Sequence, residues 1–164
     1  MFSEDICPEE RSRCARACFR DGYNCCQSVL LAFKDIIGLP EEEIARLSSG
    51  FGGGMGRLRE VCGAMSAMTF LSGIIRPATN PGNMEERTAN YALVQKFAER
   101  FREANGSIVC REILQLRADG KEPPTPSTRT EEWYTKRPCE RIIGNAARIV
   151  AEELEEIAHA GLDA

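Results

Sequence analysis

The chain has 164 residues, 43% of them hydrophobic, and its composition does not shift along its length, so residues 1–164 read as one domain around one core. Its 25 acidic and 21 basic side chains are interspersed and leave a net charge of -4, which offers no basic cluster to a nucleic-acid backbone. The start "MFSEDICPEERSR" carries acids where a secretion signal needs a basic stretch and an apolar run, and no segment reaches membrane-span length; a cytoplasmic protein with no nucleic-acid or membrane partner is expected.

Pro8 suits the first turn of a helix and Gly22 ends one, so "PEERSRCARACFRDG" predicts a first helix. Asn24 caps a second, "NCCQSVLLAFKDIIG", in which Cys26, Val29, Leu30, Phe33 and Ile37 recur at steps of three and four until Gly38. "LPEEEIARLSSG" repeats the proline-then-acids opening for a short third helix, and a glycine turn follows. From Cys62 to Ile75, "CGAMSAMTFLSGII" carries no charge on any face and stops at Arg76 and Pro77. A helix apolar all round and too short to cross a bilayer is the buried centre of a bundle.

"NPGN" at 80–83 is a turn, and the helix after it is expected to bury Met84, Tyr91, Val94, Phe97, Ala98 and Phe101 before Asn105 and Gly106 end it. "GSIVCREILQL" fits a two-turn helix. "ADGKEPPTPSTRTEEWYTKRP" is too rich in proline, threonine and charge for regular structure, and reads as a covering loop anchored by Trp133 and Tyr134. Pro138 opens a last helix from Cys139 to about His159, with Ile142, Ile143, Ala146, Ile149, Val150, Leu154 and Ile157 inward. No segment alternates like a half-buried strand. The expected class is all-α, a compact bundle of five to seven helices around a buried central one.

The glycine-rich stretch "SSGFGGGMGRLREVCGAMSAM" fails as a phosphate loop, because Gly56 is followed by Arg57 and Leu58 where a lysine and a hydroxyl are needed. It fails as a dinucleotide fingerprint too: counted from Gly50, Gly52 or Gly54, the sixth position is Met55, Arg57 or Arg59, and no strand precedes it. The amides of Gly52, Gly53 and Gly54 retain a binding role only as an anion nest. The stronger expectation is a turn that aims Cys62.

Eight cysteines in a reducing compartment point to metal binding or redox chemistry. Cys25, Cys62, Cys110 and Cys139 each fall in the first turn of a predicted helix, where unpaired amides and the helix dipole favour thiolate, the form that attacks disulfides and binds metals. Arg111, Lys136 and Arg137 push the same way. These four are too far apart for a local metal knuckle and form a site only if the fold gathers them. Cys14, Cys18 and Cys26 read as small buried apolar residues; the stripe Cys7, Cys14 and Cys18 reads as core before metal grip. Met55, Met65 and Met68 read as core fillers. His159, at the end of the last helix, is the only histidine and leaves Cys–His hydrolysis without a base.

"GYNCCQSVLLAF", "FGGGMG", "CGAMSA" and "GSIVCREIL" with the later Cys139 resemble, in order, the motifs of the C_GCAxxG_C_C family over roughly Phe19 to Val150. Ala67 stands where the signature ends in glycine, and Cys26 where alanine is usual. The resemblance implies a redox-active protein whose functional thiols are Cys25, Cys62, Cys110 and Cys139. The expectation is that they converge to bind an iron–sulfur cluster or another thiophilic metal such as zinc for electron transfer. The alternative is metal-free thiol–disulfide exchange, with Cys62 attacking and Cys25 or another of the four resolving. A redox protein partner is expected, and self-association into a homo-oligomer stays open.

Overall fold

A computed structural model describes residues 6–117 and 122–161; residues 1–5 of the acidic start and 118–121 of the expected loop lie outside the described residues. The helices are α1 (Pro8–Arg20), α2 (Cys25–Leu31), α3 (Lys34–Ile37), α4 (Glu41–Ser48), α5 (Gly52–Met55), α6 (Gly63–Ile75), α7 (Met84–Asn105), α8 (Cys110–Ile113), α9 (Glu131–Lys136) and α10 (Cys139–His159). The fold is all-α, and the described residues contain no strand beyond one antiparallel bridge between Val61 and Val109.

Helix α10 is the spine. Its apolar stripe is buried from Ile142 to Ile157 as its periodicity requires, and each fully buried large aliphatic there contributes about 1.5–3 kcal/mol. Helix α1 runs antiparallel to it, as the ion pairs Glu9–Arg148 at one end and Arg16 and Arg20 with Glu140 at the other show. Gly144 permits the contact: a Cβ there would lie 2.8 Å from the Ser12 hydroxyl. Helix α7 covers another side, also antiparallel, with Lys96 paired to Glu156 and Asn105 bonded to Asn145. Helices α2 and α6 complete the core with the fully buried Phe33, Met68 and Leu71.

Several expectations are corrected. The predicted second helix breaks in two at Phe33 (φ -120°, ψ 22°). The Arg11 guanidinium donates to the Ala32 carbonyl at 2.6 Å and lies 5.1 Å from the Phe33 ring centre, so the interrupted carbonyl has a partner and the ring turns into the core. Helix α6 is not buried on every face: Thr69, Phe70 and Gly73 face solvent, Phe70 being 43% exposed. On α7, Met84 and Tyr91 are exposed, and Leu93 joins Phe97 and Phe101 inside instead. Met55 is exposed, whereas Met65 and Met68 are buried. Cys14 is exposed and Cys18 half-buried, because α1 buries the Ser12, Ala15 and Phe19 face; only Cys26 of that trio is core. Helix α8 is one turn rather than two, and α9 is a helix within the expected loop.

Candidate redox site

The first cysteine is set by a capping box. The Asn24 side chain accepts from the Cys26 and Gln27 amides, and the Gln27 side chain accepts from the Asn24 amide, which fixes Cys25 as the first residue of α2. Asn24 also donates to the Ser49 carbonyl at 3.0 Å, tying the start of α2 to the glycine-rich turn.

The next two come together through the single bridge. The Cys62 amide donates to the Ile108 carbonyl at 2.8 Å and the Cys110 amide to the Glu60 carbonyl at 2.6 Å. The starts of α6 and α8, distant in sequence, are thereby clamped side by side. Cys139 arrives on the first turn of α10. All four line one cavity of about 570 Å³, with Cys62 and Cys110 7% exposed and Cys25 and Cys139 half-buried. The exposed Pro124 and Pro126 form part of its wall, so the proline-rich segment lines the cavity that the cysteines share.

The glycine-rich stretch is unusual in hand. Gly53, Gly54, Met55, Gly56 and Arg57 follow one another at φ between +59° and +70°, a turn of left-handed backbone. For Met55 and Arg57 that costs about 1–2 kcal/mol each. Bonds from the Arg59 and Glu60 amides to the Gly53 and Gly54 carbonyls hold it. Arg57 and Arg59 clamp it further through Glu122, at 2.6 and 2.5 Å. A side chain on Gly54 would meet the Cys110 Cβ at 2.7 Å, and one on Gly63 would overlap the Cys25 sulfur. The turn was expected to aim Cys62; it packs against Cys25 and Cys110 instead. Gly52 rests on Asn24, and the Gly53 backbone is among the groups that lower the Cys25 thiol.

The profile of a family described as "Putative redox-active protein (C_GCAxxG_C_C)" matches residues 23–153, well over half of the chain. The chain belongs to the C_GCAxxG_C_C family. It has no match among curated proteins and none among solved structures.

The four family cysteines differ sharply in charge state. Cys25 is held well below the ordinary thiol range, first by a hydrogen bond from the Cys62 thiol and then by the amides of Gly53, Gly63 and Cys25 itself, all against the cost of burial. Cys62 is pushed up for the complementary reason: it keeps its proton to donate to Cys25, and it is buried. Burial raises Cys110, partly countered by the Arg59 guanidinium 3.8 Å from its sulfur. Burial raises Cys139 to about 11. Thiolate at all four helix starts is therefore corrected to thiolate at one: burial raises Cys110 and Cys139, and Cys62, although the Ala64 amide lowers it, is raised first by Cys25 and then by burial.

Of the expected basic neighbours, Arg137 lines the cavity and lowers Cys110 and Cys139, and the other two are corrected. Lys136 pairs with Glu132 on the surface, and Arg111 donates to the Leu58 carbonyl. The cation at Cys110 is the buried Arg59, which sequence reading passed over; its only signal was an arginine straight after the glycine-rich turn. Among the described residues, no group of three or more His, Cys, Asp or Glu side chains is arranged to hold a metal ion, and the cysteines are free thiols. His159 is exposed at the end of α10 and does not line the cavity.

Proposed function

We propose that Cys25 and Cys62 form a dithiol–disulfide couple, with Cys25 as the attacking thiolate and Cys62 as the resolving thiol. The observation that carries this is the seat of the Cys25 sulfur against the start of α6, where a Cβ on Gly63 would overlap it and so beside Cys62, at the wall of the shared cavity. Cys25 is the less buried of the two and holds the charge, which favours it over Cys62 as the nucleophile. The thiolate attacks one sulfur of a disulfide, forms a mixed disulfide and expels a thiolate. Cys62 passes its proton to that leaving sulfur and attacks Cys25, releasing the second half as a thiolate that takes its proton from solvent. Two electrons leave the protein, a Cys25–Cys62 disulfide results, and an external dithiol returns the couple. Mild oxidation followed by peptide mapping tests this: a Cys25–Cys62 crosslink is expected, and oxidised protein with both residues still alkylatable would contradict it.

A second reading is metal binding by Cys25, Cys62, Cys110 and Cys139, favoured by their presence around one cavity. Four sulfurs suit an iron–sulfur cluster, which would supply one-electron transfer, or zinc. Their present arrangement requires movement before three could ligate one ion. Metal analysis and an optical spectrum of protein purified without oxygen, beside Cys62→Ser, decide between the two readings: stoichiometric iron with visible absorption, lost in the variant, supports the metal.

A further inference from the structure

We propose that the cavity takes a small organic disulfide bearing carboxylates, and that a set of arginines lining it selects that charge. This rests on Cys25 as the attacking sulfur. Arg57, Arg59, Arg129 and Arg137 line the cavity, and among the described residues no Asp or Glu does. The chain as a whole carries -4, so this concentration of positive charge runs against the molecule's own balance.

The arginines are incompletely neutralised. Arg57 and Arg59 share the single carboxylate of Glu122. Arg129 spends its hydrogen bonds on two neutral acceptors, the Phe19 and Tyr23 carbonyls, each at 3.0 Å. Arg137 lies 5.1 Å from the Trp133 ring centre, and neither it nor Arg129 has an ion pair among the described residues. Among the described residues, these four guanidiniums face one carboxylate, Glu122, and the Cys25 thiolate. Trp133, in the same wall, carries a buried indole N–H that finds no partner among the described residues.

Size and polarity narrow the class. A cavity of about 570 Å³ is in the range that encloses a small molecule, and Phe19, Ile113 and Ile142 supply apolar wall for its organic body. Pro124 and Pro126 form part of the wall of the cavity that Cys25 and Cys62 line, a setting that suits a small disulfide over one held in a folded protein. Carboxylates on guanidiniums would place the disulfide against the thiolate with fixed orientation. The electron balance is that of the couple: the bound disulfide is reduced by two electrons to a thiol and a thiolate that takes a proton from solvent, Cys25 and Cys62 become a disulfide, and a dithiol reductant restores them.

The experiment compares three aliphatic disulfides, dithiodiglycolate (dianion), 2-hydroxyethyl disulfide (neutral) and cystamine (dication). Single-turnover rates are normalised to the rate of a free small thiol with each. The expected normalised order is dianion over neutral by about tenfold and over dication by about a hundredfold, a preference that shrinks in high salt and in Arg137→Gln. A second arm avoids Cys25 chemistry: a dicarboxylate thioether of matching length is expected to quench Trp133 fluorescence saturably, and its diamide not to. Equal or reversed rates with Cys25 reacting would overturn the charge selection and leave the couple standing. Inert Cys25 with saturable dicarboxylate binding would overturn the couple and leave the anion site. Faster reduction of insulin than of any small disulfide would overturn the small-molecule class.

Discussion

The Cys25 sulfur rests on Gly63 at the start of α6, beside Cys62, and this neighbour lowers the Cys25 thiol while Cys62 itself is raised. The pH profile of iodoacetamide labelling reads this directly. Cys25 is expected to label with a midpoint well below the ordinary ~8.5 of a thiol. Cys62→Ala removes the largest stabilising contact of the thiolate, so the midpoint moves up and labelling near pH 6.5 slows roughly tenfold. Identical profiles in the two proteins would show that Cys62 has no such effect.

Gly63 is the point where helix α6 meets the Cys25 sulfur. An added methyl in Gly63→Ala would lie over that sulfur and 2.7 Å from the Phe51 carbonyl. Overpacking of this kind costs about 1–3 kcal/mol. Thermal unfolding is expected to show a lowered Tm, with the Cys25 labelling midpoint displaced upward in the same variant. A Tm equal to wild type would mean the contact is looser than described.

Cys139 gives the alkaline limb of stability a residue. Its folded pKa of about 11 lies above the unfolded value. A group raised in this way contributes fully below its unfolded pKa and loses that contribution as pH rises through the folded one. Stability should therefore fall between about pH 8.5 and the folded value, while the lowered Cys25 has already made its full contribution there. Urea unfolding at pH 8 and pH 10.5 is expected to show a smaller loss in Cys139→Ala than in wild type, by about 1–2 kcal/mol given its half exposure. Parallel losses in the two proteins would remove Cys139 from the alkaline limb.

Trp133 packs on Phe19 and Tyr134 at 5.9 and 5.2 Å between ring centres and lines the cavity beside the cysteines. Trp133→Ala opens that wall. Labelling of Cys25 at a pH where it is fully ionised should accelerate several-fold, and stability should fall by about 2–4 kcal/mol, below the cost of a fully buried tryptophan. Unchanged labelling would confine Trp133 to a packing role.

Periodicity carried the long elements. The stripe from Ile142 to Ile157, the capping Asn24 and the stop at Gly106 were readable because local rules and tertiary packing agree there. Where a distant residue intervenes, local reading fails. The break at Phe33 depends on Arg11 from another helix, and the exposure of Tyr91 and Cys14 depends on which face of α7 and α1 the neighbours take. The cysteine positions at helix starts were legible from Asn24 and Pro138, yet their charge states were not. Those depend on which sulfur the Gly53 and Gly63 amides reach and on how deeply the others are buried, and both come from the Val61–Val109 bridge and the left-handed turn. Arg59 was invisible for the same reason, since nothing local marks an arginine that will be buried against a cysteine.

The central claim, that Cys25 attacks and Cys62 resolves, is tested most directly by trapping the intermediate. Cys62→Ser mixed with dithiodiglycolate should accumulate one mixed disulfide, found by mass spectrometry on Cys25, while wild type under the same conditions should pass through it to the Cys25–Cys62 crosslink. A mixed disulfide on any other cysteine, or one that persists on Cys25 in wild type, would contradict the account.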